Sequence, residues 1–136
     1  PEVVFAAWTS ADQFATWFGP DGFSTKVRQM DVHPGSCAKF DMCSSDGTVF
    51  TNRFDYVEVV PNERLIMDHG SDQDDSPDRF RVTVTIDLQD NGKTVVTLRQ
   101  LHQTAEMRNT VISFGGVEMG LQTLRKLEKH CNQISN

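Results

Sequence analysis

The chain has 136 residues, 38% of them apolar and 24% charged, with a net charge of -6. A domain of that length buries roughly two thirds of its unfolded surface, enough for a core without a disulfide scaffold, and no apolar run approaches the ~20 residues of a membrane span. The acidic balance, with no grouped Lys and Arg, excludes nucleic acid and other polyanions as partners.

In chain order, EVVFAAWT is apolar at Val3, Val4, Phe5 and Trp8, helical spacing rather than alternation, and reads as a short helix. Ser10-Ala-Asp-Gln13 has the form of a capping box. A second short helix is therefore predicted from Ala11, with Phe14, Trp17 and Phe18 on its inner side, ending at Gly19-Pro20. From Phe23 to about Gln103 the punctuation changes to turn signals: Pro34-Gly35, Ser45-Asp46-Gly47, Pro61-Asn62, Gly70 to Pro77, and Asp90-Asn91-Gly92. Six strands fit between them. The clearest is FRVTVTIDL, where Phe80, Val82, Val84, Ile86 and Leu88 share one face; Asp90-Asn91-Gly92 turns it into the antiparallel TVVTLRQLH.

After Thr104, a predicted N-cap, the remainder reads as one long helix whose apolar stripe is Val111, Phe114, Val117, Leu121, Leu124 and Cys131. Gly115, Gly116 and Gly120 interrupt it at a propensity cost of ~1 kcal/mol each. They mean either tight packing on the sheet or room for a ligand beneath the helix. Together these elements predict an α+β layer structure with one wet sheet face, in which a curved antiparallel sheet wraps the long C-terminal helix and leaves a concavity.

The runs FAAWTSADQFATWFGPDGF, VRQMDVHPGS, DGTVFTNRF, PNERLIMDHGSD, RFRVTVTI and QTAEMRNTVISFGGVEMGLQTLRKL, in that order, resemble the SRPBCC (START-like) superfamily. More narrowly, they are similar to the branch named for the activator of heat-shock-protein ATPase homologues, at the level of its C-terminal domain. The resemblance covers nearly the whole chain. It implies a single START-like domain over residues 1–136 with a helix-grip fold of the birch-pollen-allergen type, two short helices near the N-terminus, and a hydrophobic cavity closed by the long helix. It also implies a first strand ahead of the short helices; none precedes Pro1 in these residues, and that strand is expected upstream in the natural protein.

The fold hosts lipid carriers, cyclases, stress-linked binding proteins and chaperone activators, so function must come from residues. His33, Cys37 and Cys43 lie close in sequence, but along an extended strand the two cysteines stand ~20 Å apart and cannot share an ion. The acidic stretch Asp68 to Asp78 lacks the glycine and terminal acid of a calcium loop and reads as a solvated loop. No metal is expected. Without G-x-S-x-G, a Walker loop or G-x-G-x-x-G, no nucleotide or other cofactor is expected either. Three cysteines, Cys37, Cys43 and Cys131, form no CxxC, and the odd count fits a reducing cytoplasm, the expected location.

The acid–base candidates are His102, His69, Asp31 and Asp68, on or beside strand positions that a concave sheet could aim inward. Gln100 and His102 share parity with Val96 and Leu98, so they either face the cavity or sit in water at the open strand end. Arg53, Arg79, Arg81 and Arg99 read as partners of acidic residues on the exposed face. The leading expectation is a non-enzymatic domain that binds a small hydrophobic molecule, its cavity lined by Trp17, Phe40, Met42, Phe54, Val84, Leu98, Gln100, Phe114, Val117 and Leu121. The alternatives are an interaction module resembling the chaperone activators, with a chaperone as partner, and a cyclase- or dehydratase-type enzyme using His102 or His69. A homodimer is the default oligomer.

Overall fold

A computed structural model describes residues 1–74, 77 and 79–135. Two short helices, α1 (Glu2–Thr9) and α2 (Ala11–Trp17), precede six strands: β1 (Phe23–Met30), β2 (Cys37–Ser44), β3 (Val49–Val60), β4 (Arg64–Ser71), β5 (Phe80–Leu88) and β6 (Thr94–Leu101). They form one sheet in sequence order, each strand antiparallel to its neighbour. Two helices follow, α3 (Ala105–Ser113) and α4 (Gly116–Ser135). This is the helix-grip arrangement: a curved antiparallel sheet gripping its C-terminal helix.

The alternation along each strand decides which face is covered. Val82, Val84 and Ile86 on β5 are buried, as are Leu65 and Met67 on β4, Phe54 and Tyr56 on β3, and Ala38 and Phe40 on β2. The register shifts between Val27 and Gln29 on β1 and between Tyr56 and Glu58 on β3, interruptions of the ladder of the kind that increase local twist. Onto one end of that concave face pack Trp8, Phe14 and Trp17 from α1 and α2, with Leu127 and Cys131 from α4. The aromatic rings interlock there mainly edge to face, with Phe14 stacked on Phe18 at 4.4 Å between centroids.

Four local expectations need correction. The capping box is not made: Ser10 precedes α2, but its side chain caps nothing, and Gln13 instead meets Nε2 of His130 on α4 through its Oε1 at 3.1 Å. The long final helix is broken. Thr104 does cap α3, accepting the Met107 N–H at 3.1 Å, but the chain then turns through Gly115 at φ +83°, which glycine adopts without steric cost. The apolar stripe holds only in part: Val111, Leu124 and Cys131 face inward, joined by Gly116, Gly120, Thr123 and Leu127, while Phe114, Val117 and Leu121 are exposed. The acidic stretch begins as strand rather than loop, since Asp68, His69 and Gly70 belong to β4; its positions 75, 76 and 78 lie outside the described residues.

On the convex face, Arg81 grips Asp68 with both ends of its guanidinium, and Arg79 meets Asp55 at 2.9 Å. Arg53 is buried rather than exposed, held under residues 72–74 by Asp74 at 2.9 Å and the Gln73 carbonyl at 3.0 Å. Arg99 makes no ion pair among the described residues.

Candidate functional site: a cavity beneath the last helix

The two ends of α4 meet the sheet differently. Toward its C-terminus Leu127 and Cys131 join the core and border an outer groove of about 740 Å³ shared with α1 and the start of β6; toward its N-terminus the inward positions are Gly116, Gly120 and Thr123, and a cavity of about 380 Å³ lies against the apolar sheet face. That lies within the ~300–1,000 Å³ usual for small-molecule sites.

The glycines separate into two roles. A Cβ on Gly116 would stand 2.4 Å from Val111 Cγ1 and 2.8 Å from the Val111 carbonyl oxygen, so this glycine lets α3 turn tightly against α4. A Cβ on Gly120 would meet nothing within 4 Å. Here the helix presents bare backbone to an open space.

The sheet supplies the opposite wall through residues of one parity: Met42, Phe50, Phe54, Met67, Phe80, Val82 and Leu98. Trp8 from α1 closes the inner end together with Phe18 of the α2–β1 link. Polar groups are few, namely Asn52, His69, Gln100 and Thr123, and no Asp, Glu, Lys or Arg side chain lines the cavity among the described residues. Asn52 donates its amide to the Phe50 carbonyl at 2.9 Å, which turns its Oδ1 toward His69 Nε2 at 2.9 Å. His69 therefore donates from Nε2, within a row of rings that runs Phe54, His69, Phe80, His102 at centroid spacings of 4.9, 5.1 and 4.8 Å. Thr123 donates to the Met119 carbonyl of its own helix at 3.0 Å.

The two tryptophans divide in the same way as the glycines. Both are 2% exposed. Trp17 donates its indole N–H to the Ala7 carbonyl at 2.9 Å and lies in the core away from the cavity wall. Trp8 lies in the cavity wall, and its indole Nε1 is buried with no hydrogen-bond partner.

Of the residues expected from the sequence to line a ligand site, Met42, Phe54, Leu98 and Gln100 stand in the wall together with His69. Trp17, Phe40 and Val84 are packed into the core behind it. Val117 and Leu121 border a second groove, on the β6 side of α4, which Gln100 and His102 share; Phe114, 78% exposed, caps α3 at the break. Asp31 lies outside the cavity on the β1–β2 loop, where its hydrogen bond with His33 holds its carboxyl below the usual range. The acid–base candidates are thus not brought together. Trp8, Asn52, Phe80 and Thr123 were not among the expected site residues, whereas Gly120 was read as tight packing or room for a ligand. Only the glycine had a readable signal, since a helix-breaking residue at an inward position leaves a gap where a side chain would be.

Among the described residues, no group of three or more His, Cys, Asp or Glu side chains could hold a metal ion, and no helix is long and apolar enough to cross a membrane.

The family model for Activator of Hsp90 ATPase homolog 1-like protein matches residues 1–131. Among solved structures, the crystal structure of a protein from Nitrosomonas europaea is similar at a TM-score of 0.88 and 22% identity, over 98% of this chain and 88% of that one. The solution structure of a protein from Arthrobacter aurescens is similar at a TM-score of 0.87 and 17% identity, over 97% and 79% of the two chains. Another, from Staphylococcus epidermidis, reaches a TM-score of 0.82 and 25% identity over 97% and 82%. These likenesses carry the fold and no ligand. No curated protein matches the chain.

Proposed function

This chain belongs to the family of Activator of Hsp90 ATPase homolog 1-like proteins, and from that premise we propose that it binds a small hydrophobic molecule between the curved sheet and α4. The observation that carries the reading is the cavity at Gly120. This is a concave space of about 380 Å³, open on one side, and what sets it apart is a wall made almost wholly of apolar and aromatic side chains. Its wall is of the kind that binds by burial: Met42, Met67 and Met119 supply adaptable surface, rings supply area, and a few polar groups fix orientation.

Native mass spectrometry of the freshly purified protein, with melting temperatures measured against uncharged aromatic and lipid-like compounds, tests the proposal. A co-purified small molecule, or a rise in melting temperature that scales with ligand concentration, is the expected result. If no adduct is found and no compound in the panel raises the melting temperature, the reading fails.

A second reading, docking of a chaperone or another protein, draws support from a different surface. Leu101, Ile112, Phe114, Val117 and Leu121 are all at least 48% exposed around the α3–α4 break and the end of β6. Large apolar side chains in such a group mark contact surfaces. Stimulated ATP turnover by a chaperone of the Hsp90 type, lost on Phe114→Ser, is what this alternative predicts.

A further inference from the structure

We propose that the molecule bound beneath α4 ends in a carboxylate, and that Arg108 on α3 receives this headgroup at the rim while the apolar tail passes under Gly120 into the cavity. The inference rests on the ligand-binding reading above and adds the chemistry of the ligand to it.

The carrying observation is the way two spaces meet. The groove on the β6 side of α4 measures about 320 Å³, and Leu98, Gln100, Val111, Gly116 and Gly120 border both it and the cavity. Gly120 puts no side chain between them, and a Cβ there would meet nothing within 4 Å. The rest of the groove wall is apolar at Ile112, Val117, Leu121 and Leu124, and polar at His102 and Arg108. A molecule lying across both spaces is thus buried against apolar surface along its length and meets a guanidinium at one end.

The setting of Arg108 suits an anion. The residue is exposed, so its stem can lie along the groove while its head stays in water, and an anion paired with it keeps part of its own hydration. The planar guanidinium matches the two oxygens of a carboxylate. Arg28, Arg53, Arg64, Arg79, Arg81 and Arg125 each meet a carboxylate of this chain, and Arg108 makes no ion pair among the described residues. Of the neighbouring acids, Glu118 on α4 is engaged by Arg125 at 2.8 Å, and Glu106 on α3 stands outside the groove wall. The two histidines fall at different depths. His102 borders the groove with its ring 4.8 Å from that of Phe80, whereas His69 lies on the cavity side of Phe80 with its Nε2 on Asn52 Oδ1 at 2.9 Å. The tail passes His69; the headgroup stays with Arg108 and His102.

The test compares decanoate, decan-1-ol and decyltrimethylammonium, which share a tail and differ in head. Heteronuclear NMR titrations of wild type, Arg108→Gln and Arg108→Glu read affinity, with the Gly116 and Gly120 amides reporting occupancy and melting curves confirming folded variants. Arg108→Gln should weaken decanoate about threefold to fivefold, the worth of an exposed ion pair, and Arg108→Glu roughly tenfold or more. Decan-1-ol should change by less than about twofold in either variant, and decyltrimethylammonium should bind Arg108→Glu more tightly than wild type. Decanoate affinity that stays within about twofold in Arg108→Glu, or that falls only in step with the alcohol, overturns the inference while leaving the binding reading intact. Binding of decan-1-ol without binding of decanoate does the same. Failure of all three compounds to bind wild type defeats the binding reading and this inference with it.

Discussion

Trp17 donates its indole N–H to the carbonyl oxygen of Ala7 at 2.9 Å, so a side chain of α2 satisfies a backbone acceptor in the last turn of α1. Helix ends leave such carbonyls without intrahelical partners, and a buried one needs another donor. The bond fixes the two short helices against each other and holds Trp8, on α1, at the edge of the cavity.

The tryptophans should therefore differ in what their replacement costs. Trp17→Phe strands the Ala7 carbonyl, whereas Trp8→Phe removes a donor with no protein partner. We expect Trp17→Phe to be more destabilising than Trp8→Phe by about 1 to 3 kcal/mol in urea denaturation. Equal losses would show that the Trp17–Ala7 bond is not a feature of the folded protein.

The glycines of α4 provide an opposed pair. Gly120→Ala places a methyl in open space and gains helix propensity, so it should stabilise by up to about 1 kcal/mol. Gly116→Ala forces a methyl against the backbone of Val111 and should cost about 1 to 3 kcal/mol. Chemical denaturation of both variants against wild type measures the signs. A destabilising Gly120→Ala would mean that the helix sits closer to the sheet than described.

Acid should reveal the β2–β3 turn. Asp46 accepts from the Ser44 hydroxyl and from the Thr48 N–H, and these bonds lower its carboxyl from an ordinary value of 3.8 to about 2. A group depressed in the folded state contributes stability above its unfolded value and loses it as pH falls through the folded one. The difference in urea midpoint between wild type and Asp46→Ala should hold at pH 5 and shrink as pH falls from about 4 toward 2. A difference independent of pH across that range would count against the turn.

Much of the sheet was legible because alternation and turn chemistry act locally. Phe80, Val82, Val84 and Ile86 announce an inward face, and Asn91-Gly92 a hairpin. The α4 stripe was legible only toward its C-terminal end, at Leu124 and Cys131. Reading α3 and α4 as one periodic helix carried the phase of Phe114, Val117 and Leu121 across a break at Gly115, and a change of direction there resets which side faces inward. Two adjacent glycines were the available signal for a stop. The site was legible only where parity sufficed, as for Leu98 and Gln100 on β6. Which tryptophan meets the cavity depends on how α1 and α2 pack, a tertiary matter that spacing along the chain does not encode.

The central claim is that the space under Gly120 is a binding site. Titrating wild type and Gly120→Leu side by side with the uncharged fluorophore N-phenyl-1-naphthylamine tests it most directly, with melting curves confirming that both are folded. The leucine projects into the cavity without touching its neighbours at Cβ. Saturable, blue-shifted fluorescence with wild type and at least tenfold weaker binding to the variant is the predicted result; equal binding to both proteins would contradict it.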